Sequence, residues 1–368
     1  NWLLVAKRLR RYTIRANNSI TIPSFFANRF RDKSRILLAV SAIWILIFFI
    51  PYTASGFAAC GKLFHTLFGV NYIFAMLVSA AVIILYTMLG GFLAASTTDL
   101  VQSIVMTVAL VIVVLFGINA AGGLDRVLEN ARGIAGYLSL RQMGNSNAPQ
   151  TATPYTFMQA FANLAWGLGY FGMPHILLRF MAIGDEKKIK VSRRIASVWV
   201  LISMAVAIFI GIVANAMSKA GAIAVAKTSA DAENSIIRIA HLLSGNGLGF
   251  ALLAGVILAG ILACTMSTSD SQLLAASSSF SENLLVEVFG LSLTEKQRVL
   301  AARLTVIAIA LLSIFIARDP DSSVFAIVSF AWAGFGAAFG PVMLLALFWR
   351  RANRYGAIAG MISGGVMV

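Results

Sequence analysis

Residues 248–272 read LGFALLAGVILAGILACTMSTSDSQ, and this stretch sets the fold class. No charge interrupts it before Asp270. At about 1.5 Å per residue such a helix is long enough to cross a hydrocarbon layer of roughly 30 Å. Its second half turns polar in one run: Cys264, Thr265, Met266, Ser267, Thr268, Ser269, Asp270, Ser271 and Gln272. Polar groups at membrane depth are costly, so a run this dense marks a place where chemistry can sit.

The apolar signature recurs along the chain. Continuous runs predict membrane helices over 36–60, 72–93, 100–121, 157–180, 196–216, 248–276, 299–317 and 324–349, with another opening near Gly356. Residues 1–12, with Trp2, Leu3, Leu4 and Val5, read as the tail of an earlier helix. The chain opens on Asn1 rather than Met and stops inside an apolar run at Val368, which predicts further membrane helices on each side. The runs lack the in–out alternation of barrel strands. Hydrophobic residues make up 59% of the chain and charged residues 12%, against about 25% charged in soluble domains. The expectation is an all-α polytopic membrane protein forming a single transmembrane domain over residues 1–368.

Basic residues are sided. They cluster in 1–35 (from Lys7 to Arg35), in 179–194 (Arg179, Lys187, Lys188, Lys190, Arg193, Arg194), at Lys296, Arg298 and Arg303, and at Arg350, Arg351 and Arg354. With the eight spans placed as above, 21 of the 29 basic residues fall on one face. That face is cytoplasmic by the positive-inside rule. The net charge of +15 is therefore a topology signal plus attraction to anionic membrane lipid. No nucleic-acid-binding module accompanies it. Segment 20–30 mixes aromatic and basic residues and predicts an interfacial helix on the cytoplasmic surface. The long outer loops are 122–155 and 217–247, the second with a short helix over 230–243.

Cys60 and Cys264 form no CxxC motif, and His65, His175 and His241 are scattered. No metal site, disulfide framework or cofactor is expected from them. No nucleophile–base pair points to an enzyme.

Within the polar run, Cys264, Ser267 and Thr268 share one helix face by their three- and four-residue spacing. Hydroxyls beside a freed carbonyl offer oxygen ligands to a small hard cation; alternatively they bond back to carbonyls one turn earlier. Asp270 is either a station for cation release or a solvated charge at the helix end. Asp99 follows Ser96, Thr97 and Thr98 and either caps the third span or takes part in cation passage. The fourth span holds Trp166-Gly-Leu-Gly169-Tyr170-Phe-Gly172-Met-Pro174. Its literal GxGxxG lies inside a membrane span rather than after a strand, which removes the dinucleotide meaning. Glycines and a proline at that depth instead weaken the helix where it lines a cavity. Trp166, Tyr170 and Pro174 recur every four residues, an aromatic stripe able to pack on a small apolar solute and attract its ammonium group. Pro51-Tyr52 predicts a kink with a phenol at mid-depth. Trp332 to Pro341 has small residues spaced by four, which suits close helix packing.

Several strings carry a resemblance: IPSFFANRF from Ile22, YTMLGGFLA from Tyr86, WGLGYFGMPHIL from Trp166, Met266-Ser267-Thr268, and AWAGFGAAFGP from Ala331. They run in order along almost the whole chain, and on them it resembles the sodium/solute symporter family, most closely its sodium/proline branch. The resemblance implies an inverted five-helix-repeat transporter fold, incomplete at both ends and lacking core helix 1. It implies sodium bound at Cys264, Ser267 and Thr268, with Asp99 and Asp270 as a possible sodium pathway. It also implies a proline pocket lined by Trp166, Tyr170 and Pro174 with Tyr52 nearby. Ser24 stands where the family usually has an acid. The implied function is sodium-coupled import of L-proline by alternating access, in a multi-pass protein of the cell inner membrane. Its partners are proline, the sodium ion and membrane lipid, with no nucleic acid, and sodium is a co-transported ligand rather than a cofactor. Pantothenate or another small acid is the alternative solute, and a transporter-like membrane sensor the alternative class. Without core helix 1 the chain is not expected to transport by itself.

Overall fold

The computed structural model describes residues 1–145 and 148–368; Ser146 and Asn147, in the first long outer loop, lie outside the described residues. Near the basic N-terminal end lie α1 (Ala6–Arg15) and α2 (Ile22–Phe30). The long helices follow: α3 (Ile36–Phe68), α4 (Tyr72–Ala120), α8 (Lys188–Lys219), α11 (Leu248–Ser278), α12 (Glu295–Ile316) and α13 (Val324–Phe348). Between them sit α5 (Leu124–Arg132), α6 (Phe157–Gly169), α7 (Pro174–Ala182), α9 (Ser229–Ala232) and α10 (Ser235–Ser244), and the last is α14 (Arg354–Val366). An antiparallel hairpin of β1 (Gln142–Gly144) and β2 (Ala152–Pro154) decorates the first outer loop.

Six helices among the described residues are long and apolar enough to cross a membrane. The eight predicted spans map onto the structure with two adjustments. First, α4 holds two spans. Gly91, at φ 61° and ψ −169°, leaves helical geometry inside it. Tyr86 and Thr98 share a hydroxyl hydrogen bond of 2.8 Å around that point. Twelve residues of straight helix would separate their backbones by about 18 Å, so the helix folds back at Gly91. Only glycine takes that φ without strain, and a single residue replaces the polar loop that the sequence predicts at 94–99.

Second, the predicted span 157–180 is broken. α6 ends at Gly169, turns occupy 170–173, and Pro174 opens α7. The break rests backbone to backbone on α13. A Cβ on Gly172 would lie 2.1 Å from the Phe335 carbonyl oxygen, and one on Gly336 would lie 2.9 Å from the Gly169 Cα. In lipid such close approach, rather than expulsion of water, supplies much of the attraction between helices. Gly172→Ala is therefore expected to push α13 away and lower the thermal unfolding midpoint of the solubilised protein by several degrees, an overpacking cost of about 1–3 kcal/mol. Gly167→Ala, which meets nothing within 4 Å, leaves it unchanged. Equal midpoints for the two variants would rule out close packing as the cause.

Two apolar clusters organise the molecule. The larger gathers α3, α7, α12, α13, α14 and the two N-terminal helices. The smaller joins the second half of α4 to α8, α10 and the first half of α11. α11 packs on both α3 and α4 and so connects the two. The outer faces are apolar and exposed, as at Val198, Leu201, Ile202 and Ile208 of α8. This is a lipid-facing surface, and the chain is a multi-pass membrane protein.

α2 corrects one expectation. Ile22, Pro23, Phe25, Phe26 and Ala27 are buried in protein, and Phe26 stacks on Phe339 of α13 at 6.2 Å. The helix therefore docks on the bundle rather than only resting in the lipid interface. Ser24 accepts from Asn283 at 2.7 Å and donates to Glu287 at 2.9 Å. An acid at position 24 would face Glu287 directly.

Candidate solute and cation site

α3 carries Tyr52 inward, with its phenol at the junction of α3, α11 and α13. The Trp332 indole donates to the Tyr52 hydroxyl at 3.0 Å. Trp332 is also the centre of an aromatic box. Trp166 stacks on it at 5.3 Å between ring centroids, and Tyr170 meets it edge-on at 4.6 Å. Phe325 covers the other side of Trp166 at 5.5 Å. Gly169 admits the indole, since a Cβ there would sit 3.1 Å from its ring. Below Tyr52 lies His175, its ring 5.9 Å from the phenol and 5.8 Å from Phe49. A cavity of about 590 Å³ extends from His175 and Ser271 towards Arg10 and Asn18.

The structure thus brings three of the four expected solute residues, Trp166, Tyr170 and Tyr52, around one ring. Pro174 stands apart. The four-residue stripe assumes one continuous helix, but the chain leaves helical geometry between Tyr170 and Pro174, and Pro174 is buried at the start of α7. Trp332 reads from sequence as a packing residue. Its setting among alanines and glycines conceals it, although a lone Trp in a small-residue span is the available signal.

On α11, the Thr268 hydroxyl donates to the Cys264 carbonyl at 3.0 Å, and Ser271 donates to the Ser267 carbonyl at 3.0 Å. These are the back-bonds that hydroxyls within a helix make to the preceding turn. They do not consume the hydroxyl lone pairs, which stay available to a cation. Cys264 is exposed. The neighbouring face of α11 is closed by α3: a Cβ on Gly56 would lie 2.4 Å from the Ser269 hydroxyl.

Towards the cytoplasm a polar chain ties α4, α7 and α11. Arg179 pairs with Asp99 at 2.6 Å and bonds Ser271 at 2.7 Å. One Asp270 oxygen lies 3.1 Å from the Ser271 hydroxyl and competes with the Ser267 carbonyl for its single hydrogen, and Tyr86 donates to the other Asp270 oxygen. This corrects the capping account of Asp99. The helix runs through that position, and Thr97 and Thr98 bond back to the carbonyls of Leu93 and Ala94. It also removes the helix-end account of Asp270, which is 0% exposed within a helix that continues to Ser278.

On the outer side, Glu233 joins α3 to α13. It accepts from the Ser323 hydroxyl at 2.7 Å and from the N–H groups of Val324 and Phe325 at 3.1 Å, with Lys62 at 3.4 Å. Its desolvation pushes the carboxyl pKa up, but those N–H groups, Ser323 and Lys62 outweigh it and hold the pKa below the ordinary glutamate value. This clamp lies at the outer end of α13, beyond the aromatic box.

The model of the sodium:solute symporter family matches residues 1–364. The chain belongs to the sodium:solute symporter family. Members of this family are secondary transporters, not enzymes. This symporter-family chain is 40% identical over 372 residues to the high-affinity proline transporter PutP of Bacillus subtilis, covering 100% of itself and 74% of that protein. It is 40% identical over 368 residues to the sodium/proline symporter of Escherichia coli, covering 70% of it. It is 41% identical over 371 residues to that of Haemophilus influenzae, covering 71%. A solved structure of a Na+-coupled sialic acid symporter, substrate-bound and outward-open, superposes with a TM-score of 0.73 at 15% identity over 100% of this chain and 79% of that one. At that identity the likeness establishes the shared symporter fold.

Proposed function

We propose that the chain is the transport domain of a sodium-coupled L-proline importer of the inner membrane. The observation that carries it is the convergence, on one stretch of α11, of two environments suited to the two cargoes. The hydroxyls of Ser267 and Thr268 and the carbonyl of Cys264 present oxygen to a small cation. Beside them Tyr52, Trp332, Tyr170 and Trp166 form an aromatic surface for a compact ring with an ammonium group. Likeness to sodium/proline symporters over the whole of this chain supports proline over pantothenate or other acids. Asp99 and Asp270, with Arg179 and Ser271 between them, form the cytoplasmic continuation along which sodium leaves. Alternating access follows if sodium favours one state of the bundle and so raises solute affinity in that state.

The test is uptake of labelled proline by vesicles containing the native protein under an inward sodium gradient. Sodium-stimulated uptake, suppressed by unlabelled proline and not by pantothenate, is expected. Uptake indifferent to sodium, or suppressed equally by pantothenate, would overturn the assignment.

A further inference from the structure

Gln272 lies one turn beyond Thr268 and is 0% exposed. The Thr53 hydroxyl donates to its Oε1 at 3.2 Å. Its Nε2 makes no hydrogen bond of good geometry; the Tyr52 hydroxyl is close enough to engage one of its two N–H groups, and the other is without a partner among the described residues. A buried amide donor left unpaired is costly and calls for a partner. Tyr52 lies beside the same amide, and its hydroxyl already accepts from Trp332. The phenol proton is therefore free to donate. Two donors, the second Gln272 Nε2–H and the Tyr52 O–H, therefore lie side by side next to Trp332 of the aromatic box.

We propose that Gln272 is a solute-binding residue that grips the carboxylate of the transported amino acid through Nε2, together with the Tyr52 hydroxyl, while Thr53 fixes the amide. The assignment rests on the proline reading above and deepens it. A carboxylate is acceptor-only and binds such neutral donors strongly because its charge assists the bond. Thr268 and Gln272 are neighbours one turn apart, about 5–6 Å between their Cβ atoms. An anion at Gln272 and a cation at Thr268 attract one another across that gap, so each raises the affinity of the other. This gives the coupling of the two cargoes a direct electrostatic route in addition to any change in bundle conformation.

The experiment compares Gln272→Glu and Gln272→Met with the unaltered native protein in vesicles. It measures the KM for proline and the inhibition constant of prolinamide, whose neutral amide replaces the carboxylate. Glu is nearly isosteric with Gln, and Met restores volume without a donor. The KM for proline should rise about tenfold or more in both variants, as loss of a hydrogen bond to a charged group requires. Prolinamide should change far less, so the preference for proline over prolinamide collapses. A preserved preference, even with a lower maximal rate, would overturn the assignment and leave Gln272 a packing residue. If the unaltered protein takes up no proline at all, the functional reading falls, and the Gln272 assignment with it.

Discussion

With Ser267→Ala and Thr268→Ala combined, sodium no longer stimulates solute uptake. Each substitution removes one side-chain oxygen from the open face of α11 and leaves the backbone carbonyls in place. The Thr268 hydroxyl uses its single hydrogen on the Cys264 carbonyl, so both lone pairs are free to face an ion. Two such contacts, each about 1.5 kcal/mol or more, raise the half-maximal sodium concentration about 100-fold or beyond. Thr268→Ser keeps the oxygen and should retain most of the stimulation, which separates ligation from loss of a methyl group. The measurement is initial uptake against external sodium in vesicles. A double variant with the parent's sodium curve would take the cation away from this face.

Trp332→Ala is expected to have a comparable effect on the solute side. The indole meets Trp166, Tyr170 and the Gly169 backbone and donates to Tyr52. Its truncation costs about 3–5 kcal/mol, divided between folding and solute binding. With about half of that on binding, the KM for proline should rise roughly 10- to 70-fold, with partial loss of thermal stability. Trp332→Phe distinguishes the two contributions. It preserves the ring stack and removes only the N–H bond to Tyr52, for which about a 3- to 10-fold rise in KM is expected. A Trp332→Ala protein with an unchanged KM would show that the box is packing alone.

Much of the fold is legible in the sequence because a long, uncharged apolar run can bury its surface only in lipid or deep in a core, and eight such runs exceed what a core could hold. The basic loops then set its sidedness. Boundaries are harder. The turn at Gly91 needs one residue rather than a polar loop, so nothing in hydropathy separates the two halves of α4. The break after Gly169 is legible, since glycines and a proline gather there, but its effect on Pro174 is not. A four-residue spacing implies a common face only while the helix continues. The ion pair of Asp99 with Arg179 joins residues far apart in sequence, and local pattern cannot express it. Nor can the polar run alone say which of its members faces α3. The contacts of Thr265 and Ser269 with Gly56, and of Gln272 with Thr53, exist only once α3 is packed against α11.

The unbroken run from α11 into the π-helical segment Ser279–Val288 has a mechanical consequence. Leu248–Val288 spans 41 residues, roughly 60 Å at helical rise, about twice the hydrocarbon thickness. Ser267 and Thr268 lie near its middle, while Val288 and Glu287 at the far end hold Arg35 and Ser24. A rod of this kind acts as a lever: with roughly 30 Å between Thr268 and the tip, a 10° tilt displaces the tip by about 5 Å. If sodium binds at Ser267 and Thr268 as proposed, a small adjustment there would reach the α2–α3 corner enlarged, because that corner is bonded to the far end of the rod.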